Sequence, residues 1–120
     1  MNMDAFNKLM NIEIVENAIG SGEEWPKPKD YDNWIECWEK KSNKKATECG
    51  FCGTKEDLVG AHVLINPSDY SDSTKVYLVV LCKKCNKKDE PFDVFKDDLI
   101  DVSDICPFSD IKKYYNFNNK

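Results

Sequence analysis

Hydrophobic positions recur along this chain with two periods, and the changes of period divide it. In residues 1–20 the apolar side chains Phe6, Leu9, Met10, Ile14 and Ala18 follow helical spacing, with Asp4 placed to cap a helix and Gly20 to stop it. Ile12, Ile14 and Val15 within that stretch also suit a short strand. The segment GSGEEWPKPK (20–29) has two glycines and two prolines, so it predicts a crossing loop with Trp25 as its anchor on the core. Helical spacing returns over 30–42, where Trp34, Ile35, Cys37 and Trp38 fall on one side and Glu36, Glu39, Lys40 and Lys41 on the other, with Asp30 or Asp32 as N-cap.

The period then shortens to two. A strand at 58–65 places Leu58, Gly60, His62 and Leu64 on one face and Val59, Ala61, Val63 and Ile65 on the other. Gly60 on the His62 face predicts that another backbone comes close there. After the polar loop NPSDYSDST, a second strand is expected at 75–81. PFDVFKDDLIDVS predicts two short strands around a Lys96-Asp97-Asp98 turn, offering Phe92, Val94, Leu99 and Ile100 to the core. Ser109 can cap a final helix carrying Ile111, Tyr114 and Tyr115, followed by a frayed end.

Cysteines change this picture most. Cys49-x2-Cys52 and Cys82-x2-Cys85 stand 29 residues apart, and each C-x2-C pair puts two thiolates on one tight turn. Two such turns facing each other form the closed tetrahedral shell preferred by structural zinc. Gly50 and Gly53 suit a turn whose backbone amides point at the sulfurs. A three-disulfide secreted scaffold is the competing reading of six cysteines, but paired C-x2-C units have metal spacing and the N-terminal stretch has no signal-peptide pattern. The expected compartment is therefore reducing and cytoplasmic. Cys37 reads as a buried inert thiol and Cys106 as structural or free. A short helix is expected from Cys85 until Pro91 limits it. The predicted fold class is α+β: one domain over 1–120, with a zinc-stapled treble-clef core at about 47–95 built of zinc knuckle, β-hairpin and short helix. The helix at 30–42 precedes that core, and residues 1–29 form a peripheral segment.

Charge adds less. A formal net charge of −5 argues against a simple basic nucleic-acid clamp. The lysines are nevertheless clustered, at 40, 41, 44 and 45 and again at 83, 84, 87 and 88, whereas 89–110 holds eight acids and the single Lys96. The lysines near the cysteines either form a basic contact surface or offset the formal −2 of four thiolates around Zn2+. The acidic segment could itself dock a protein by imitating nucleic-acid charge. Trp34 and Trp38 are expected to pack their helix on the zinc module rather than to stack on bases.

GAHV at 60–63 and LCKKCN at 81–86, preceded by a C-x2-C pair, resemble the HNH-like treble-clef superfamily, in particular small bacterial and phage proteins with a W-I-x-x-W helix. Trp34, Ile35, Trp38, Tyr77, Val79, Leu81, Cys82, Cys85 and Asn86 match that pattern, which spans about 34–94. The resemblance implies His62 as the general base of a metal-dependent endonuclease and Asn86 as the last polar residue of the motif, with Mg2+ or Mn2+ on the scissile phosphate. Two expected polar positions hold Ala61 and Tyr77 instead. A zinc-stapled, catalytically incomplete module is therefore expected, contacting nucleic acid or a protein partner through Lys83, Lys84, Lys87 and Lys88. The endonuclease using His62, the only histidine, with Asn86 is the competing function.

Overall fold

A computed structural model of the chain describes residues 11–18, 27–65, 71 and 73–111. Strands β1 (Ile12–Asn17), β2 (Leu58–Ile65), β3 (Tyr77–Cys82), β4 (Phe92–Phe95) and β5 (Ile100–Asp101) form one antiparallel sheet in the order β4-β1-β2-β3-β5. Helices α1 (Trp34–Ser42) and α2 (Phe108–Ile111) complete an α+β fold. Among the described residues, no helix is long and apolar enough to cross a membrane.

The helical reading of Ile14 to Ala18 is overturned: IEIVEN is β1, with Val15 facing a core and Ile14 exposed. Three β-branched residues within four positions, Ile12, Ile14 and Val15, favour a strand, and pairing on both sides, Val15 with Ile65 of β2 and with Phe92 of β4, decides it. The Asp4 to Met10 part of the expected helix, Trp25, Tyr114 and Tyr115 lie outside the described residues.

For α1 the cap is Asn33 rather than Asp30 or Asp32. Its backbone is extended (φ −160°, ψ 173°) and its side-chain oxygen accepts from the Glu36 N–H at 2.8 Å. Asp30 sits at φ 73°, a left-handed turn position before the helix. At the far end Asn43 is left-handed (φ 60°) and its N–H reaches the Glu39 carbonyl at 2.9 Å.

The faces of β2 and β3 divide the buried side chains as alternation predicts. Leu64, Leu78 and Val80 pack with Trp34, Cys37 and Trp38 of α1 and with Val102, Cys106, Phe108 and Ile111. Ala61, Val63, Val79 and Leu81 turn the other way, onto Val15, Phe92 and Val94, and this second core is continuous with Cys49, Cys82 and Cys85. Gly60 marks the closest approach of helix to sheet. A Cβ there would meet the Trp34 Cβ at 2.6 Å and the Trp34 carbonyl carbon at 2.7 Å, so only glycine lets α1 lie this low.

The Lys96-Asp97-Asp98 turn joins the two edges of the sheet rather than a hairpin. Flat, five strands would separate those edges by about 19 Å. The five steps from Phe95 to Ile100 reach at most about 18 Å extended, and three of the intervening residues are wound into a 3-10 turn, Lys96–Asp98. The sheet therefore curls. Trp38 Nε1 donates to the Asp98 carbonyl at 2.8 Å and Lys44 Nζ to the Asp97 carbonyl at 2.9 Å, which tie the crossing to α1 and the loop after it.

The helix expected after Cys85 is only a three-residue 3-10 turn, Cys85–Lys87, and Lys88 is already extended (φ −62°, ψ 133°). Asn17 Nδ2 donates to the carbonyls of Cys85 and Lys88 at 3.0 and 2.9 Å, occupying acceptors that a longer helix would use, and the chain turns into β4.

Candidate metal centre

Two knuckles at one end of the second core build the site. The first begins at Cys49, whose N–H donates to the Thr54 carbonyl at 2.7 Å while Gly53 N–H returns to the Cys49 carbonyl at 3.0 Å. Gly53 closes this loop at φ +82°, a conformation open to glycine at little cost. Gly50 N–H donates to the Val80 carbonyl at 2.7 Å, which fastens the knuckle to β3. The second knuckle starts at Cys82, the last residue of β3, paired with Leu58. Lys83 N–H donates to the Asp57 carbonyl at 2.9 Å, holding the turn against the start of β2.

These backbones bring the sulfurs of Cys49, Cys52, Cys82 and Cys85 within 4.8 Å of one another. Cys52 Sγ and Cys82 Sγ are 3.8 Å apart. A tetrahedral shell with metal–sulfur bonds of about 2.3 Å has edges of about 3.8 Å, which the Cys52–Cys82 pair already matches and the other pairs exceed by no more than about 1 Å. Cys49 Sγ accepts from the N–H groups of Phe51 and Cys52, and Cys82 Sγ accepts from that of Cys85, each at 3.4 Å. Donors of this kind stabilise thiolate and fix its direction. Burial pushes the Cys49 thiol up, but the N–H donors aimed at it prevail and bring its pKa down to about 7. Burial and the neighbouring thiols raise Cys85. Cys49, Cys82 and Cys85 are buried and Cys52 is exposed. Among the described residues this is the one grouping of potential ligands that can hold a metal ion.

Two residues absent from the sequence expectations, Asn17 and Phe51, support the site. Asn17, through its bonds to the Cys85 and Lys88 carbonyls, braces the second knuckle from β1. Phe51, between the first two cysteines, meets Phe92 edge-on at 5.4 Å, and Lys88 Nζ lies 5.0 Å from the Phe51 ring centre. An aromatic inside a C-x2-C pair was a visible signal for Phe51; nothing in the sequence around Asn17 points to its distant partners.

His62 occupies the middle of β2, only 1% exposed, with its ring edge-on to Trp34 at 4.2 Å between centres. Burial lowers its pKa from 6.5 to about 3, so the imidazole is neutral at physiological pH. Its side chain lies on the α1 face, with Leu64, while the second knuckle adjoins the opposite core. Asn86 directly follows Cys85 in the 3-10 turn and is 2% exposed.

Lys83, Lys84 and Lys87 are exposed and make no ion pair among the described residues; Lys88 is half-buried and pairs with Glu90 at 3.6 Å. The other lysine cluster instead faces the acidic segment, through Lys41 with Asp104 and Lys44 with Asp98, both at 3.7 Å. With Lys75 beside Asp101 and Lys88 beside Glu90, four of that segment's eight acids have a lysine partner. Cys37 and Cys106 are buried in the α1-side core, away from the four-sulfur group, and burial raises the Cys37 pKa.

Fold and site together define a small α+β protein whose curled sheet carries a four-cysteine candidate metal centre at the margin of its core. No family model matches the chain, and no curated protein and no solved structure matches it significantly.

Proposed function

We propose that this chain is a structural-zinc module of the HNH-like treble-clef kind, catalytically incomplete, which binds nucleic acid through the surface of its second knuckle. Zn2+ bound by Cys49, Cys52, Cys82 and Cys85 would lock the two knuckles together, and Lys83, Lys84, Lys87 and Lys88 would meet phosphate. The observation that carries the reading is the set of three exposed lysines on and just after that knuckle, close together in the chain and each without an ion pair among the described residues, whereas in the other lysine cluster Lys41 and Lys44 are matched by acids. Neutralising a metal site does not require cations held out in solvent, whereas contact with a polyanion does.

The incomplete-enzyme part of the proposal rests on His62. A general base needs access to its substrate and a pKa near working pH, and this imidazole is beneath Trp34 with a pKa of about 3. Plasmid incubated with zinc-replete protein and Mg2+ or Mn2+ should stay intact. Nicking that requires the divalent ion and disappears in His62→Ala would establish the endonuclease using His62 and Asn86 in its place.

Binding itself is tested by anisotropy of labelled nucleic acid over a range of salt. Affinity should fall steeply as salt rises, and replacing Lys83, Lys84, Lys87 and Lys88 by Ala should flatten the slope. Absence of binding at low salt would reject nucleic acid as the partner and favour a protein ligand.

A further inference from the structure

Phe51 sits between two of the metal-ligating cysteines yet is 44% exposed. Its ring is held from the inside by the edge contact with Phe92, so it stands in a defined orientation at the tip of the first knuckle. One lysine lies against that tip, and others are close to that lysine along the chain. Lys88 Nζ lies over the ring, Lys87 precedes it in the chain, and Lys83 follows Cys82, whose sulfur is 3.8 Å from that of Cys52 beside Phe51. From the ring a groove of about 470 Å3 runs along the first knuckle to Phe95, its charged lining being Lys44 and Lys45 with Glu48 and Asp98, of which Asp98 is paired with Lys44. Its size falls in the ~300–1,000 Å3 range of ligand-sized sites. Phe95 is a second exposed aromatic, at 41%, and Lys45 is an exposed lysine that makes no ion pair among the described residues.

An exposed, rigidly seated aromatic beside cations is the arrangement that grips unpaired bases: the ring offers a π face to any base, and the lysines follow the phosphates. Bases in a duplex have their faces covered by their neighbours and cannot use such a platform. We infer that Phe51 is a stacking platform for single-stranded nucleic acid, with one base on its ring, the next in the groove towards Phe95, and the backbone held by Lys83, Lys84, Lys87 and Lys45. The incoming base displaces the Lys88 ammonium from the ring, and that cation turns to the adjacent phosphate. This inference rests on the nucleic-acid reading above and adds to it the strand state and the residue that senses it.

The test uses the full zinc-replete chain at low salt, with a labelled oligothymidylate of roughly 15 nucleotides, near the upper end of common single-strand site sizes, and a duplex of the same length. The single strand should bind at least about tenfold more tightly. Phe51→Ala should weaken single-strand binding by about 5- to 100-fold, the range for one lost stack, and leave duplex binding unchanged. Phe51→Leu keeps an apolar contact on Phe92 but has no ring; it should lose the same affinity at unchanged metal content and melting temperature, while Phe51→Trp should restore binding. Equal affinity for single strand and duplex, with both weakened by the lysine changes but neither by Phe51→Leu, would overturn the stacking platform and leave the lysine surface standing. No binding of either probe would overturn both.

Discussion

Gly60 and His62, two residues apart on one face of β2, show how much depends on single positions where helix meets sheet. Gly60→Ala would drive a methyl group into Trp34 backbone and Cβ atoms under 3 Å away, so α1 must lift. A loss of about 1–3 kcal/mol is expected in urea unfolding, the usual range for overpacking. His62 makes stability depend on pH. Its folded pKa of about 3 lies below the ordinary 6.5, so the unfolded chain takes up a proton that the folded chain refuses between those values. The contribution is fully present above pH 6.5 and falls by ~1.4 kcal/mol per pH unit below it, until the folded pKa is passed. Unfolding followed from pH 7 to pH 4.5 should therefore show a steeper acid loss in the wild type than in His62→Leu; parallel curves would show that His62 takes up its proton as readily in the folded protein as in the unfolded one. Acid release of metal affects both chains and cancels in the comparison. Asn17→Ala should loosen the second knuckle from β1 and weaken metal affinity by about 10- to 100-fold, as losses of outer support commonly do. Competition with a chromogenic chelator measures this.

At the scale of elements, α1 depends on what it covers. Nine residues are too few for a stable isolated helix, so its caps at Asn33 and Asn43 need the burial of Trp34, Cys37 and Trp38. Trp38→Ala should cost about 3–5 kcal/mol, a large share of the ~5–15 kcal/mol total of a domain. Trp38→Phe keeps most of the packing and removes only the Nε1 bond to the Asp98 carbonyl, a loss of about 1 kcal/mol. Thermal unfolding with metal bound separates the two, and an unchanged melting temperature for Trp38→Ala would reject the packing role. The amphipathic pattern of α1 and the alternation of β2 were legible because each is local: a face is buried or it is not, and the period records which. β1 was harder, because Phe6, Leu9, Met10, Ile14 and Ala18 fit a helix while Ile12, Ile14 and Val15 fit a strand. The competition was settled by hydrogen bonding to β2 and β4, partners about 50 and 80 residues away that no local window contains.

For the whole molecule, the four cysteines join segments that are remote along the chain, and a metal ion held by them stabilises whatever they connect. Elemental analysis should find one zinc per chain. Each of Cys49→Ser, Cys52→Ser, Cys82→Ser and Cys85→Ser should lose it and lower the melting temperature, whereas Cys37→Ala and Cys106→Ala should retain it, since those thiols lie in the other core. Full stability in strong chelator would sink the stapling role.

The sequence by itself determined the four-cysteine grouping, the hairpin and its two faces, and the buried side of α1. C-x2-C spacing confines each pair of sulfurs to one turn, and alternation confines each strand residue to one side. Only the tertiary structure decided that the second knuckle runs into β4 through a 3-10 turn, that β4 and β5 lie at opposite edges of a curled sheet, and that Phe51 has Lys88 over its ring while His62 is sealed beneath Trp34. Those outcomes depend on pairing between distant segments and on which side chain covers which, and such contacts have no period for a sequence to display.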